Sequence, residues 1–332
     1  MRCATSTRES RAARSSSSPE ADVAEGYARG TVSNLEVGVC LPVMQYGPER
    51  ITPRWNEIRQ IAIHAEQMGM DTLWIPDELL WRSPDSPERG FWDGVSVAAA
   101  AAAVTSRIKI GSWVLSALHR NPGIIAKTVE TLDEISGGRF VFGLGAGHAG
   151  PGQAHAFGLP EDRVADRFGE ALQIIVPLMR GGRANFEGNF HCAHDLVQLP
   201  VGPRPNGIPL LIGAQKPRGM RLAAMNADIW STYAEANSSL DEMTPRIESF
   251  KVVCDELGRD FGGFGRAAGL EVAPLDDGVK RDGVISGSPT QIADALRGFR
   301  DAGFTQVDLM VDPGSVAAYD ALARVVEMLR AD

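Results

Sequence analysis

The feature that most constrains this chain is an alternation of strand-like and helix-like segments that runs from residue 35 to residue 329. Short apolar runs, which are typical of buried strands, alternate with segments whose apolar residues recur every three or four positions, as on one face of a helix. We count eight such units, and eight parallel strands each followed by a helix form a closed barrel. We therefore predict an α/β chain folded as a (β/α)8 TIM barrel, with an insertion after the fourth helix.

The boundaries follow from the apolar periodicity and from local start and stop signals such as Asn121-Pro122, which suits a helix N-terminus. The predicted strands cover residues 35–41, 72–75, 107–115, 139–144, 208–212, 227–230, 268–274 and 305–311. The predicted helices cover residues 55–68, 92–105, 121–135, 164–179, 218–225, 240–257, 288–302 and 316–329. Residues 181–207 show no such pattern and are predicted to be an irregular insertion over the barrel mouth, with a hairpin-like turn at 186–190.

Composition separates a tail from one large domain. Residues 1–34 are rich in serine and charge and offer little to bury, so we predict a disordered tail followed by a single barrel domain at 35–332. The net charge of −9 argues against a nucleic-acid partner. The longest apolar run, Val95–Val104, is too short to span a bilayer, so no membrane partner is expected. The four cysteines form no CxxC pair, which favours a cytoplasmic location.

One stretch, residues 136–148, reads as a helix end, a buried strand and a glycine-rich loop that leads to His148. The loop lacks bulky side chains, so a ligand can approach its backbone N–H groups. Residues 145–150 also spell GxGxxG, the pattern of a dinucleotide-binding fold. That fold needs a helix directly after the motif, but Pro151-Gly152 follows and no helical pattern starts before Val164. We therefore do not interpret this motif as a dinucleotide-binding fingerprint.

Catalytic groups of such barrels lie on the loops that follow the strands. Asp77 and Glu78 follow the second strand and form a candidate carboxylate pair, in which the pKa of Glu78 would be raised. For Asp77 a loop-capping role stays open, for Glu78 an ordinary solvated one, and for His148 a place on a surface loop.

Aromatic and histidine side chains in the same loops are candidates for an apolar substrate pocket, although for any single one of them packing in the core is the favoured interpretation. The candidate pocket residues are Trp81, Trp92, His119 and Tyr233, beside Trp113. A second cluster, His191-Cys192-Ala193-His194-Asp195, looks like a metal site, but no helix puts its histidines on one face. We predict no metal.

Four short segments, in the same order along the chain, resemble the luciferase-like monooxygenase family, the bacterial luciferase-type barrels that use FMN or coenzyme F420. These segments are 120–122, 132–139, 143–147 and 213–230, and the resemblance extends over residues 36–311. It implies that the cofactor ring lies over the ends of strands two to four. The sequence does not choose between FMN and F420.

The resemblance also implies roles for individual residues. Asp77-Glu78 stands where many deazaflavin enzymes carry Asp-His, so the usual histidine is absent. His148 stands where some of them carry a catalytic acid, and the segment 113–115 matches one that often contains a non-proline cis peptide bond. The cofactor contacts implied by these matches are Asp77, Trp113, Val114, Ser116, Gly145, Ala146, Gly147, Gly213, Ala214, Gln215 and Lys216.

The expected function is hydride transfer between the reduced cofactor and a small organic substrate, or monooxygenation if the cofactor is FMN. We expect His148 and Glu78 to donate protons and Asp77 to orient the ring or the substrate. Two alternatives stay open: a non-flavin barrel enzyme acting on a phosphorylated substrate, and a cofactor-binding member without catalysis. A homodimer is the common arrangement for a symmetric oligomer, and the sequence does not test it.

Overall fold

The computed structural model describes residues 35–83, 86–147, 152–204, 207–275 and 282–331. The predicted disordered tail at 1–34 and the candidate acid His148 lie outside these ranges.

The strands alternate with helices as predicted. The strands are β1 (Glu36–Cys40), β2 (Thr72–Ile75), β3 (Leu80–Ser83), β4 (Ser86–Gly90), β5 (Lys109–Ser112), β6 (Leu115–Ser116), β7 (Phe140–Gly145), β8 (Arg183–Glu187), β9 (Cys192–Val197), β10 (Leu210–Gly213), β11 (Ile229–Tyr233), β12 (Gly265–Ala273), β13 (Ile285–Ser286) and β14 (Gln306–Val311). The helices are α1 (Trp55–Gln67), α2 (Gly94–Val104), α3 (Pro122–Ser136), α4 (Gln153–Phe157), α5 (Val164–Gly181), α6 (Pro217–Asn226), α7 (Leu240–Leu257), α8 (Pro289–Asp301), α9 (Val316–Ala321) and α10 (Ala323–Arg330), with a short 3₁₀ turn at Phe261–Gly263. None of these helices is long and apolar enough to cross a membrane.

The sheet closes into a barrel. Its parallel strands run in the order β1, β2, β5, β7, β10, β11, β12 and β14, and β14 pairs with β1 again. The closing pair β7–β10 aligns residues 142–144 with 210–212. The predicted (β/α)8 barrel is therefore confirmed, and an open dinucleotide-binding sheet is excluded for the described chain.

Side chains alternate between the barrel interior and the ring of helices. Trp74, Val141, Leu211, Ile229 and Ala267 fill the interior as one buried cluster. The space for the indole of Trp74 exists because position 111 is glycine, where a Cβ atom would lie 2.1 Å from the ring. The outward-facing residues of the strands join the larger core under the helices, as parallel strands buried on both faces require.

Three predicted elements differ from the structure. The predicted third strand, 107–115, is two strands, β5 and β6, separated by the cis peptide bond between Trp113 and Val114. The loop after the second strand contains the β3–β4 hairpin, and the closing helix is divided into α9 and α10.

The predicted hairpin-like turn at 186–190 is confirmed, whereas the predicted irregular course of 181–207 is wrong for the described residues, because regular strands flank that turn. Its place over the barrel mouth stays a prediction. β8 and β9 form an antiparallel hairpin whose Ala184 and Ala193 pack on Ala126 of α3 and Ile174 of α5. The hairpin therefore covers the outer faces of α3 and α5, because its apolar residues match theirs.

Candidate active site

Asp77 directly follows β2 and is buried, with 2% of its surface exposed. Its Oδ2 accepts hydrogen bonds from the backbone N–H of Ser116 at 2.9 Å and from Nη1 of Arg120 at 2.7 Å. Nη2 of Arg120 donates to Oδ1 at 2.9 Å, which completes a bidentate pair. Nδ1 of His119 lies 3.1 Å from Oδ2. The carboxylate thus joins the end of β2 to the loop that follows β6.

These donors keep Asp77 ionised. Burial on its own would raise the pKa of Asp77, but the hydrogen bonds from His119 and Arg120 outweigh it and hold the pKa below its usual value. All of the carboxylate's strong contacts are internal, which makes Asp77 a fixed anchor of this rim.

Glu78 contrasts with its neighbour. The residue is partly exposed, yet its Oε2 is buried and has no hydrogen-bond partner among the described residues. Burial raises the pKa of Glu78, and the negative charge of Asp77 adds to that rise. A buried carboxyl oxygen without a partner is costly, and protonation or a bound ligand relieves that cost.

Two further side chains of the mouth lie within electrostatic range of Glu78. Cys40 ends β1, and burial followed by the charge of Glu78 raises the pKa of its thiol. Tyr233 ends β11, where burial and the charges of Glu235 and Glu78 raise the pKa of its hydroxyl. The charge of Glu78 therefore acts on residues at the ends of two other strands, β1 and β11.

The Trp113–Val114 segment forms a bulge over the barrel. The peptide bond between the two residues is cis, as the resemblance implied. The isopropyl group of Val114 lies on glycine positions, because Cβ atoms at Gly143, Gly145 and Gly213 would be 3.2, 2.7 and 3.7 Å from it. The bulge thus depends on the glycines of β7, whereas Gly213 at the end of β10 meets Val114 at an ordinary contact distance.

The glycine-rich loop after β7 packs on the same rim. Gly145 pairs with Ser116, and Gly147 has φ +100°. A Cβ atom at Gly147 would lie 2.6 Å from Oγ of Ser116, so this close approach requires glycine. Because the N–H of Ser116 also binds Asp77, the ends of β2, β6 and β7 form one connected surface.

The end of β10 lies beside this surface. Ala214 is held by its N–H bond to the carbonyl of Ser231 at 2.9 Å, and the side chain of Gln215 donates to the carbonyl of Tyr233 at 2.8 Å. Lys216 is exposed and caps the N-terminus of α6. A lysine at a helix N-terminus is a favourable place for an anion.

A family model of luciferase-like monooxygenases matches residues 35–278, nearly three quarters of the chain. This chain belongs to the luciferase-like monooxygenase family.

Proteins similar to this chain bind two kinds of cofactor. The F420-dependent glucose-6-phosphate dehydrogenase of Kineococcus radiotolerans is 25% identical over 320 residues, which cover 82% of this chain and 90% of that enzyme. An F420-dependent secondary alcohol dehydrogenase with an F420–acetone adduct has a TM-score of 0.72 at 18% identity, covering 89% of this chain and 98% of its own. Riboflavin lyase with modified FMN and riboflavin has a TM-score of 0.73 at 15% identity, covering 90% and 92%. The two structures support the shared barrel fold.

Within this luciferase-like barrel, the four predicted pocket residues do not come together. His119 lines an outer cleft of about 240 Å³ with Arg120, Arg167 and His191, and the other three take no part in it. Trp81 and Trp92 are 47% and 44% exposed, and Nε1 of Trp92 donates to the carbonyl of Pro53. Only Tyr233 lies at the mouth.

The histidine and cysteine cluster, residues 191–195, lies in β9 and in the turn before it. Nε2 of His194 is 3.6 Å from Glu187, and the turn containing His191 is held by backbone bonds to Glu170. No group of three or more metal-binding side chains occurs among the described residues.

Sequence reasoning missed two functional contacts of this family member. Arg120 was noted only as part of a matching segment, although it holds Asp77. Gln153 was not noted at all, although its Oε1 accepts from the N–H groups of Leu79 and Leu80, the residues that follow Glu78. A charged residue directly after His119 was a usable signal for Arg120, whereas a lone glutamine in a loop carries none.

Proposed function

We propose that this chain is an oxidoreductase that transfers hydride between a reduced flavin or deazaflavin cofactor and a small organic substrate. The proposal rests above all on Glu78, whose buried, unpartnered carboxyl oxygen lies at the mouth beside a rim built from glycines. Membership of the luciferase-like monooxygenase family supports it, as do relatives that depend on F420 or contain FMN.

The described residues fit such a cofactor. A Cβ atom at Gly213 would make only ordinary contacts with Val114, the nearest at 3.7 Å, so the described residues do not crowd the backbone at the end of β10. Lys216 and the N-terminus of α6 follow that strand end, where they suit a phosphate. We propose that the strand ends at Asp77, the Trp113–Val114 bulge and Gly145–Gly147 hold the ring.

The protein contributes position and protons. When bound, the cofactor supplies the hydride. Burial raises the pKa of Glu78 above its usual value, which favours the protonated form, and this carboxyl would donate its proton to the substrate atom that gains negative charge when the neighbouring carbon is reduced. Asp77 stays ionised and anchors the loops on either side of Glu78. His148 remains a predicted second donor.

A titration with two cofactors tests the proposal. Purified protein is added to FMN and, separately, to F420, and the cofactor fluorescence is recorded. We expect saturable quenching with one molecule of one cofactor per chain. Binding of neither would refute the proposal and favour the alternative of a non-flavin barrel enzyme acting on a phosphorylated substrate. Binding of the reduced cofactor without reduction of any substrate in a broad panel of aldehydes and imines would favour a non-catalytic member.

The proposed oligomer is a homodimer formed through α2. This helix contains no charged residue, and its partly or fully exposed positions are Val95, Ser96, Ala99, Ala100, Ala103 and Val104. Monomeric proteins normally carry polar residues on such a face. Light scattering should give twice the chain mass for the wild type and the monomer mass for Ala99→Glu. A monomeric wild type would contradict the proposal.

We also propose a cytoplasmic location. No disulfide bond joins Cys40, Cys192 or Cys254 in the described chain. Thiols are kept reduced in that compartment. Cell fractionation tests the location directly, and recovery of the protein outside the cytoplasm would contradict it.

A further inference from the structure

The indole of Trp113 reaches across the barrel mouth. Trp113 follows β5, and its backbone N–H donates to the carbonyl of Ile75 at 2.8 Å. A Cβ atom at Gly269 of β12 would lie 2.4 Å from Cζ2 of this indole and 2.7 Å from Cη2. In the closed order of the barrel strands, β12 stands opposite β5. The side chain therefore spans the mouth from one wall to the other.

The far end of the indole is held in place. Its Nε1 donates to Oγ of Ser231 in β11 at 3.4 Å. Glycine at position 269 leaves room for the six-membered ring, because any larger residue would place its Cβ atom inside contact distance of that ring. On its lower side the indole packs on the interior cluster around Trp74. Trp113 thus forms a floor over the barrel interior, and the exposed part of its half-buried side chain is the part towards the mouth.

Tyr233 adds a wall beside this floor. The same Cβ atom at Gly269 would lie 2.8 Å from Cβ of Tyr233, so the tyrosine and Trp113 are neighbours. The carbonyl of Tyr233 accepts hydrogen bonds from the side chains of Gln215, at 2.8 Å, and Arg246. These bonds fix the backbone of Tyr233, yet its side chain is 47% exposed. Two neighbouring, anchored aromatic side chains with exposed surface offer an apolar face to a ligand.

We propose that Trp113 and Tyr233 are specificity-determining residues that form the floor and one wall of the substrate pocket, and that the substrate is a flat, conjugated organic molecule. This inference rests on the proposed function. The proposed cofactor ring lies over the ends of β2, β5 and β7, whereas the two aromatic side chains meet at β11 and β12. The substrate would therefore lie beside the ring, on the side of the mouth where Tyr233 stands within electrostatic range of Glu78.

Aromatic surfaces favour flat partners. Aromatic rings pair in offset-stacked or edge-to-face arrangements, and each such pair contributes beyond the apolar area that it buries. A saturated molecule with the same carbon skeleton buries a similar apolar area against Trp113 and Tyr233, but it cannot stack. The preference for a flat molecule over its saturated analogue therefore separates an aromatic pocket from one that is merely apolar.

Isothermal titration calorimetry with naphthalenemethanol and with its saturated analogue, decahydronaphthalenemethanol, measures that preference. Both molecules are uncharged alcohols with the same carbon skeleton. We expect the wild-type protein to bind the flat alcohol about fivefold more tightly than the saturated one. In Trp113→Leu the two affinities should become equal. Equal affinities in the wild type, or an unchanged preference in Trp113→Leu, would refute the inference.

Three further variants separate the loss of stacking from a loss of structure. Gly269→Ala keeps both aromatic side chains but puts a methyl group where the indole lies, and Tyr233→Leu removes the wall. Both should reduce the preference to about twofold. Trp55→Leu is the matched control, because Trp55 is 40% exposed at the start of α1 and its loss should leave the preference unchanged. If Trp113→Leu binds neither alcohol, the full preference in both Gly269→Ala and Tyr233→Leu would still refute the inference.

The same titrations on protein saturated with FMN or F420 assign the pocket. We expect the preference to persist, because the aromatic pair lies beside the proposed ring position. A cofactor that abolishes binding of both alcohols would show that the floor takes the cofactor ring, and the substrate assignment would be overturned. If neither cofactor binds, the proposed function fails by itself, while a preference that depends on Trp113 in the cofactor-free protein would still support the aromatic pocket.

Discussion

Asp308 offers the sharpest test of how this barrel tolerates charge in its interior. The residue lies on β14 and is 0% exposed. Its Oδ1 accepts from Nε1 of Trp74 at 2.6 Å and from Nε2 of Gln306 at 2.7 Å, while Oδ2 is buried without a hydrogen-bond partner among the described residues. Burial raises the pKa of Asp308 from 3.8 to about 7 despite these two donors. The charges of the nearby ion pair, Lys109 and Glu36, shift this pKa in opposite directions and largely cancel.

The raised pKa predicts a loss of stability as the pH rises. Between pH 4 and pH 7 the folded state keeps the proton on Asp308 and the unfolded state releases it, so the free energy of unfolding falls across that window. A shift from 3.8 to about 7 corresponds to about 4 kcal/mol at 1.36 kcal/mol per unit. Asp308→Asn keeps the Oδ1 acceptor and removes the charge. The variant should therefore gain stability relative to the wild type as the pH increases.

Urea unfolding followed by tryptophan fluorescence at pH 4.5, 6, 7 and 8 measures this difference. The stability of Asp308→Asn minus that of the wild type should grow by about 3–4 kcal/mol between pH 4.5 and pH 8. Asp301→Asn serves as the control, since that side chain is 69% exposed and its substitution should change little at any pH. A constant difference for Asp308→Asn would show that the interior does not hold a proton on this carboxyl.

Three further predictions concern the rim and the bottom of the barrel. Gly213→Ala should keep the free energy of unfolding within about 1 kcal/mol of the wild type, because the new Cβ atom meets Val114 only at 3.7 Å. We expect the variant to bind FMN or F420 at least tenfold more weakly. Unchanged binding in a fluorescence titration would argue against a cofactor ring at this strand end. His148→Ala should lower turnover far more than cofactor affinity, and wild-type turnover in steady-state assays would refute its role. Glu66 accepts three backbone N–H groups at 106–108. Burial opposes its ionisation, but these bonds lower its pKa to about 2. Glu66→Gln should therefore lower the free energy of unfolding by about 2 kcal/mol at pH 7. In urea titrations this loss should shrink progressively as the pH falls from 4.5 to 2.

The fold was predictable because most of its signals are local. Apolar periodicity placed the strand and helix in each unit, and Gly137, at φ +65°, ends α3 where the sequence predicted a stop. The errors arose where packing between segments distant in the chain determines the structure. One side of the hairpin of β8 and β9 is apolar, and it is buried against alanine and isoleucine side chains of α3 and α5. No local pattern contains that information.

The candidate site was predictable only in part. Family resemblance located the cis bond at Trp113–Val114 and the loop at Asp77-Glu78, both of which lie on the rim. It did not reveal that the pKa of Asp77 is lowered, because that depends on His119 and Arg120, more than forty positions away. The roles assigned to the cofactor contacts and to His148 stay predictions.

The two carboxyls of the rim illustrate why chain position is a poor guide to chemistry. Asp77 and Glu78 are consecutive, yet one is surrounded by donors and the other has an orphaned oxygen. Both residues lie after the end of β2, but Asp77 is bound by Arg120 and His119 whereas Oε2 of Glu78 is bound by no described residue. The hydrogen bonds lower the pKa of Asp77, and burial raises that of Glu78, which is why we propose an anchor at one position and a proton donor at the next. On that proposal, exchanging the two residues would keep the composition of the rim and remove both roles.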